Sequence, residues 1–176
     1  MKRTVQIGLI GPETKNIPEE QRESMLSLAA EIGRIIGFRN RILVTGGCTG
    51  VAAAASEAAY KQGGITVGTP GRKRGTSVPF TTVEICTPIE VGDFVFAGTL
   101  SCDSIIVFPG DAGTLAELAI AYRYKIPLVF LAGYREEMLQ ELFYSYDSSS
   151  YPAYVAKTAG EAVELAIVHA EARLSG

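Results

Sequence analysis

The sequence predicts an α/β fold: a single Rossmann-like, doubly wound, mainly parallel sheet with helices on both faces. Three observations predict it. Short apolar runs rich in β-branched residues alternate with segments of helical periodicity along the whole chain. Three of those runs end in glycine-rich turns, at Gly8–Gly11, Gly46–Gly50 and Gly110–Gly113. Of 176 residues, 47% are apolar and 20% charged, which suits a chain that buries a core. No repeat or linker divides residues 1–176, so one nucleotide- or phosphate-binding domain is expected.

Thr4 to Ile10 reads as a first strand, apolar enough to lie centrally. Pro18 opens a long helix with Glu19-Glu20 in its first turn; Met25, Leu28, Ala29, Ile32, Ile35 and Ile36 keep helical spacing until Gly37. Arg41 to Thr45 is a second strand, and Val51 to Gln62 an alanine-rich helix suited to close packing, closed by Gly63-Gly64. Ile65 to Gly68 is a third strand. Thr69 to Phe80, with Pro70, Gly71, Gly75 and Pro79 around Arg72-Lys73-Arg74, reads as a mobile surface loop. Thr82 to Cys86 alternates like a strand, and Glu90 to Leu100 is weakly helical. After the strand Ser104 to Phe108 come a turn, a helix, and the strand Leu128 to Leu131. Glu136 to Tyr144 reads as helix, Ser145 to Pro152 as a polar turn, and Tyr154 to Lys157 as a last strand. Thr158 and Glu161 then have capping-box spacing before a terminal helix ending near Leu174.

Charge and composition exclude several function classes. A formal net charge of −3 argues against general nucleic-acid binding. Cys48, Cys86 and Cys102 form no CxxC, which argues against a disulfide framework or a zinc site; Cys86 and Cys102 read as small core residues. The single histidine, His169, lies on a polar stretch of the terminal helix, so a histidine triad or histidine metal site is not expected. No stretch of 18 apolar residues and no signal-type segment is present, so a cytoplasmic protein without a membrane partner is expected.

The stretch Phe108 to Glu117, FPGDAGTLAE, carries the chemical signal. A strand stops at Pro109-Gly110, the small-residue loop Asp111-Ala112-Gly113 follows, and Thr114 is expected to cap a helix from Leu115 to Tyr124. Glycine lets backbone N–H groups approach an anion, and the free amides of a helix start favour negative charge. A phosphate fits such a turn, although a compact β–α connection needs the same residues. Ligands of doubly wound sheets sit beyond the carboxyl ends of the strands, so three glycine turns at equivalent ends predict one shared site.

TGGCTGV at Thr45–Val51, followed by a helix of small residues, is similar to the GGG-x-x-G-x-M segment of the Lonely Guy (LOG) family, once labelled "possible lysine decarboxylases". PGDAGTLAE at Pro109–Glu117 resembles that family's PGGxGTxxE signature. Asp103, six residues before Pro109, stands where the family has the aspartate of an Ala-Asp segment. Gly8, Gly11 and Pro12 resemble the first-strand turn of a shorter bacterial and archaeal branch that includes molybdenum-cofactor carrier proteins. The resemblance covers about residues 4 to 170.

The family hydrolyses the N-glycosidic bond of nucleoside 5′-monophosphates. By residue match, the resemblance implies that Gly110, Gly113 and Thr114, with Pro109, Asp111 and Ala112 in the same loop, hold a phosphate. It implies that Glu117 takes the place of the active-site glutamate. It also implies that Gly11, Gly46, Gly47 and Gly50 line a nucleotide cleft, with Thr49 as a polar contact. The match then breaks. The family's hydrolases carry an arginine nine residues before the aspartate matched by Asp103, and here that residue is Phe94. Arginine clamps a phosphate through two parallel hydrogen bonds, and phenylalanine makes neither. The second glycine of the signature is Asp111, which repels a dianion if it faces the ligand and is a plain turn residue if it faces solvent.

Other residues keep two readings. Glu117 is either a catalytic carboxyl or an acid favoured by the helix dipole. Arg72-Lys73-Arg74 is a solvated loop or a cationic flap over the cleft. Phe94 and Phe96 are core residues or stack on a flat ring. No lysine sits in a glycine turn, so decarboxylation is not expected. Two functions follow. One is a carrier or sensor that binds a nucleotide or the molybdenum cofactor, with no required cofactor and no metal. The other is a nucleoside 5′-monophosphate phosphoribohydrolase using Glu117. The Phe94 departure favours binding. The resemblance further implies a homodimer or homotetramer, with the helix faces around Ala52–Ala59 and Leu115–Tyr122 as contacts or as core.

Overall fold

The computed structural model describes residues 3–87, 94–133 and 153–175, without the side chain of Phe94. The first four residues of the helix expected over Glu90 to Leu100, the helix expected over Glu136 to Tyr144 and the turn expected over Ser145 to Pro152 lie outside the described residues. Seven strands form one sheet: β1 (Gln6–Ile10), β2 (Ile42–Thr45), β3 (Thr66–Gly71), β4 (Val83–Cys86), β5 (Ser104–Val107), β6 (Leu128–Leu131) and β7 (Ala153–Ala156). Their order is β4-β3-β2-β1-β5-β6-β7, and every neighbouring pair is parallel. The α/β fold read from the alternation is therefore the fold found.

The winding sets up the site. From β1 the chain moves outward through β2 and β3 to β4, then returns to place β5 on the other side of β1. Connections diverge between β1 and β5, which opens a crevice at their carboxyl ends. The helices α1 (Glu19–Phe38), α2 (Val51–Lys61) and α4 (Ala159–Ser175) share one apolar core with Ile7, Leu9, Ile106 and Val129. α3 (Ala112–Arg123) covers the opposite face, where Leu118 and Ala121 pack with Ile105, Val107 and Leu128. Alternation along each strand thus feeds two cores, as a sheet covered on both faces requires.

Local chemistry explains several boundaries. At the start of α4 the Thr158 hydroxyl accepts from the Glu161 amide at 3.1 Å, while the Glu161 carboxylate accepts from the Lys157 amide at 2.8 Å. The expected box is present with its return arm one residue earlier. β3 runs on through Pro70 to Gly71, past the expected end at Gly68, because the pairing with β4 shifts register there and a bulge tolerates proline. Phe94–Gly98 is a π-turn. Phe96 is half exposed rather than core, and Cys86 on the edge strand β4 is exposed, while Cys102 is buried as expected. Buried Asp103 takes Arg3 and the Gln6 amide on its carboxylate, fastening the amino ends of β1 and β5 at the edge of the sheet opposite the glycine turns. Among the described residues no helix is long and apolar enough to cross a membrane.

α1 and α2 touch backbone to backbone. A Cβ on residue 33 would lie 2.1 Å from the Ala55 carbonyl oxygen, so only glycine permits this approach. Gly33→Ala is expected to lower unfolding stability by about 2 kcal/mol despite alanine's higher helix propensity, because two helices must part. Urea denaturation of the two proteins measures it, and an unchanged midpoint would contradict the packing described.

Candidate functional site

A cavity of about 610 Å³ opens at the carboxyl ends of β1 and β2, against the start of α3. Gly11, Gly46, Gly47, Asp111, Ala112, Gly113, Thr114 and Glu117, all singled out from sequence, line it together. Thr49, Gly50, Pro109 and Gly110 do not line it. Gly50 is needed behind it, since its φ is 82° and a Cβ there would lie 2.2 Å from the Pro12 carbonyl oxygen. Gly110 makes room for Thr114, whose hydroxyl would be 2.1 Å from a Cβ at residue 110. Sequence reasoning had not placed Glu13, Cys48, Pro70 or Thr76 at the site. Cys48 sits inside the second glycine turn, which was a usable signal; Glu13 follows Gly11-Pro12 and was not distinctive.

Asp111, not Thr114, caps α3. One Asp111 carboxylate oxygen accepts from the Gly113 amide at 3.0 Å and the other from Asn16 Nδ2 at 2.6 Å. Aspartate and threonine are both good caps, and the helix takes the earlier one because Ala112 and Gly113 can enter its first turn. A carboxylate therefore already holds part of the anion-binding end of the helix. Among the described residues the amides of Ala112 and Thr114 keep no partner within the chain, so two donors are left for a ligand.

The basic turn is anchored. The Glu84 carboxylate on β4 accepts from the Gly75 amide at 2.6 Å and the Ser77 amide at 2.9 Å, and these contacts hold it at a pKa of about 2, the Gly75 amide first. The Val78 amide donates to the Gly47 carbonyl at 2.9 Å, docking this segment on the second glycine turn. The expectation of a mobile loop is thus corrected for Gly75 to Val78: four ordinary glycine and proline signals concealed a carboxylate supplied from the next strand. Arg72, Lys73 and Arg74 are exposed beyond Pro70 and Thr76, which reach the cavity.

Glu117 is the buried acid of the cavity lining. It projects from the buried side of α3 with Thr114, Leu118 and Ala121, and only 8% of it is exposed. Burial, and then the negative charge of Asp111, push its pKa up to about 8, so it is mainly a neutral acid at pH 7. No hydrogen-bond partner for its carboxyl is found among the described residues. A second chamber of about 10 Å³ lies on its other side, lined also by Cys102 and by Thr99, whose buried hydroxyl has no partner. The Cys48 thiol is pushed up to about 11 by burial, then by Glu13 and Glu117, so it is not a ready nucleophile. Among the described residues no cluster of His, Cys, Asp and Glu is arranged to hold a metal ion.

A family model described as the SLOG cluster4 family matches residues 4–163. An uncharacterized protein of Archaeoglobus fulgidus is 30% identical over 121 residues, covering 69% of this chain and 76% of its own. Among solved structures, the molybdenum cofactor binding protein of the phototrophic bacterium Rippkaea orientalis superposes with a TM-score of 0.81 at 27% identity, over 96% of this chain and 98% of that one. The molybdenum cofactor carrier protein of Chlamydomonas reinhardtii does so with a TM-score of 0.80 at 28% identity, over 99% and 100%. DNA processing protein A of Helicobacter pylori, at 17% identity and a TM-score of 0.64, shares the fold alone.

Glu117 makes stability depend on pH. Its folded pKa is above the unfolded value, so the unfolded chain releases this proton first and stability falls as pH rises from about 4.5 to 8. The cost of ionising it in place approaches roughly 5 kcal/mol above that range. Glu117→Gln is expected to remove that loss, so that denaturation midpoints of the variant decline less between pH 5 and 9 than those of the parent. Parallel slopes would mean that the carboxyl is not desolvated.

Proposed function

The chain belongs to the SLOG cluster4 family, and from that premise we propose that it is a carrier or sensor for a phosphorylated heterocycle of the molybdenum-cofactor type. The observation that carries this reading is the cavity shared by the three glycine turns and the start of α3. Its volume suits one organic ligand of drug size. Leu9, Ile10, Ala52 and Pro70 offer apolar walls to a flat ring system, and the amides of Ala112 and Thr114 offer donors to a phosphate. The near full-length likeness to the molybdenum cofactor binding protein and the molybdenum cofactor carrier protein supports the ligand class. On this reading Gly11, Gly46, Gly47 and Asp111 to Thr114 shape the binding site. The protein works in the cytoplasm as a homo-oligomer and binds neither nucleic acid nor membrane.

Among the described residues the site has no cationic clamp. Its described lining holds the acids Glu13, Asp111 and Glu117 and no lysine or arginine. Lys15 stands nearby but pairs with Glu13 at 3.0 Å. Shape and hydrogen bonds therefore carry most of the affinity, and phosphate attraction little. Glu117 favours a second reading, a phosphoribohydrolase of nucleoside 5′-monophosphates, because a buried carboxyl with a raised pKa is the usual property of a general acid or base.

Three outcomes test these readings. Purified protein is expected to gain thermal stability with the molybdenum cofactor or a pterin phosphate, by about 2.7 kcal/mol at a hundredfold excess over the dissociation constant. Asp111→Asn, which keeps the cap and removes the charge, should tighten phosphate esters several-fold; weaker binding would remove the phosphate from α3. Incubation with AMP is expected to release no adenine. Turnover that disappears in Glu117→Gln would replace the carrier by the hydrolase.

A further inference from the structure

The cavity holds three carboxyl groups, and two of them are already committed. Asp111 accepts from Gly113 and Asn16 with its two oxygens, and Glu13 is paired with Lys15. Glu117 is more than nine-tenths buried, lines the cavity, and has no partner for either oxygen among the described residues. A buried polar group left unpaired is costly, and native structures keep one where a ligand or water completes it. The apolar part of the lining, Leu9, Ile10, Ala52 and Pro70, suits a flat ring, so the missing partner belongs to the edge of that ring. We propose that Glu117 is the recognition residue for a 2-amino-4-oxo-pyrimidine edge, the edge that a pterin and a guanine share, and that its two oxygens accept from the ring N–H and the adjacent amino group. This inference rests on the carrier reading, since a pterin offers those two donors side by side and adenine does not.

The edge also decides the charge state. An ionised carboxylate only accepts, and two oxygens match two N–H donors. In the free protein Asp111, which precedes α3, faces Glu117 as a negative charge. Glu13 after β1, the thiols Cys48 after β2 and Cys102 before β5, and the Thr99 hydroxyl also border it; none is a cation. Free Glu117 is therefore protonated at pH 7, and ionising it there costs about tenfold in population. Two hydrogen bonds to a charged acceptor more than recover that factor. Binding of a guanine or pterin then transfers the carboxyl proton to solvent, while adenine, with one donor beside one acceptor, pairs with the neutral acid and releases none. Glu117 thereby selects the ring and couples its capture to pH.

The test titrates the full-length protein and Glu117→Gln with GMP, IMP, AMP and neopterin phosphate by calorimetry in two buffers of different ionisation enthalpy. IMP keeps the ring N–H and the ribose phosphate of GMP and lacks only the amino group. GMP and neopterin phosphate are expected to bind at least tenfold more tightly than IMP and AMP, releasing about one proton at pH 7. In Glu117→Gln that preference and the proton release should vanish while AMP affinity stays within about twofold. Equal affinity for GMP and IMP, or a preference that survives in a folded Glu117→Gln protein, overturns the inference and leaves the carrier reading standing. No binding by any of the four overturns both. Circular dichroism and the melting temperature establish that the variant is folded.

Discussion

A parallel sheet wound outward in both directions from its middle cannot cover its own centre. The divergence between β1 and β5 leaves a crevice whose walls are backbone, because the chain turns sharply at each strand end. Everything at the site follows from filling that crevice. Gly11 and Gly47 are there because side chains would collide with Phe108 and Ser77, and Gly50 because its backbone is left-handed against Pro12. Small residues bring main-chain groups to the cavity, and α3 brings one end of its dipole and one buried acid.

The opposite edge of the sheet has a different task. Asp103 is buried even more deeply than Glu117 but is engaged with Arg3 and the Gln6 amide. It locks the amino ends of two strands, away from the cavity. One carboxylate whose acceptors are filled by the chain and one whose acceptors are not make a useful contrast: the first contributes to folding, and the second weakens it as pH rises. A fold keeps the second kind where something outside the chain completes it.

The architecture was legible because local signals agreed with one another. Periodicity, glycine turns and the capping pattern at Thr158 all pointed to the same alternating plan, and β1, β2, β5 and β6 lie within two residues of where apolar runs placed them. The gathering of three turns at one cavity was legible too, since topology alone brings equivalent strand ends together. What the sequence hid was non-local. Nothing near Gly75 announces Glu84 as its anchor, and nothing in Phe96 or Cys86 tells that one faces out from a π-turn and the other from an edge strand. The cap of α3 was ambiguous for a local reason, with two competent residues three positions apart. Only the Asn16 side chain, reaching from the first connection, shows how firmly Asp111 holds the place.

Asp111 and Phe94 bear on function together. A site that must stabilise charge on a departing ribose phosphate needs a cation fixed in place before the bond breaks. Here the second glycine of the turn has become an acid bonded to the helix start, and position 94 carries no charge. Both departures weaken attraction for a dianion. Exposed Arg72 to Arg74 lie outside the described lining, and charges that far out on the surface are screened by solvent and salt. On the proposed carrier reading, the site grips a ring by shape and hydrogen bonds and holds its phosphate loosely. For catalysis that is a loss, because transition-state charge goes unanswered. For a carrier it is an advantage, since affinity is tuned mainly through the rate of release and a cargo gripped at every charge could not be passed on.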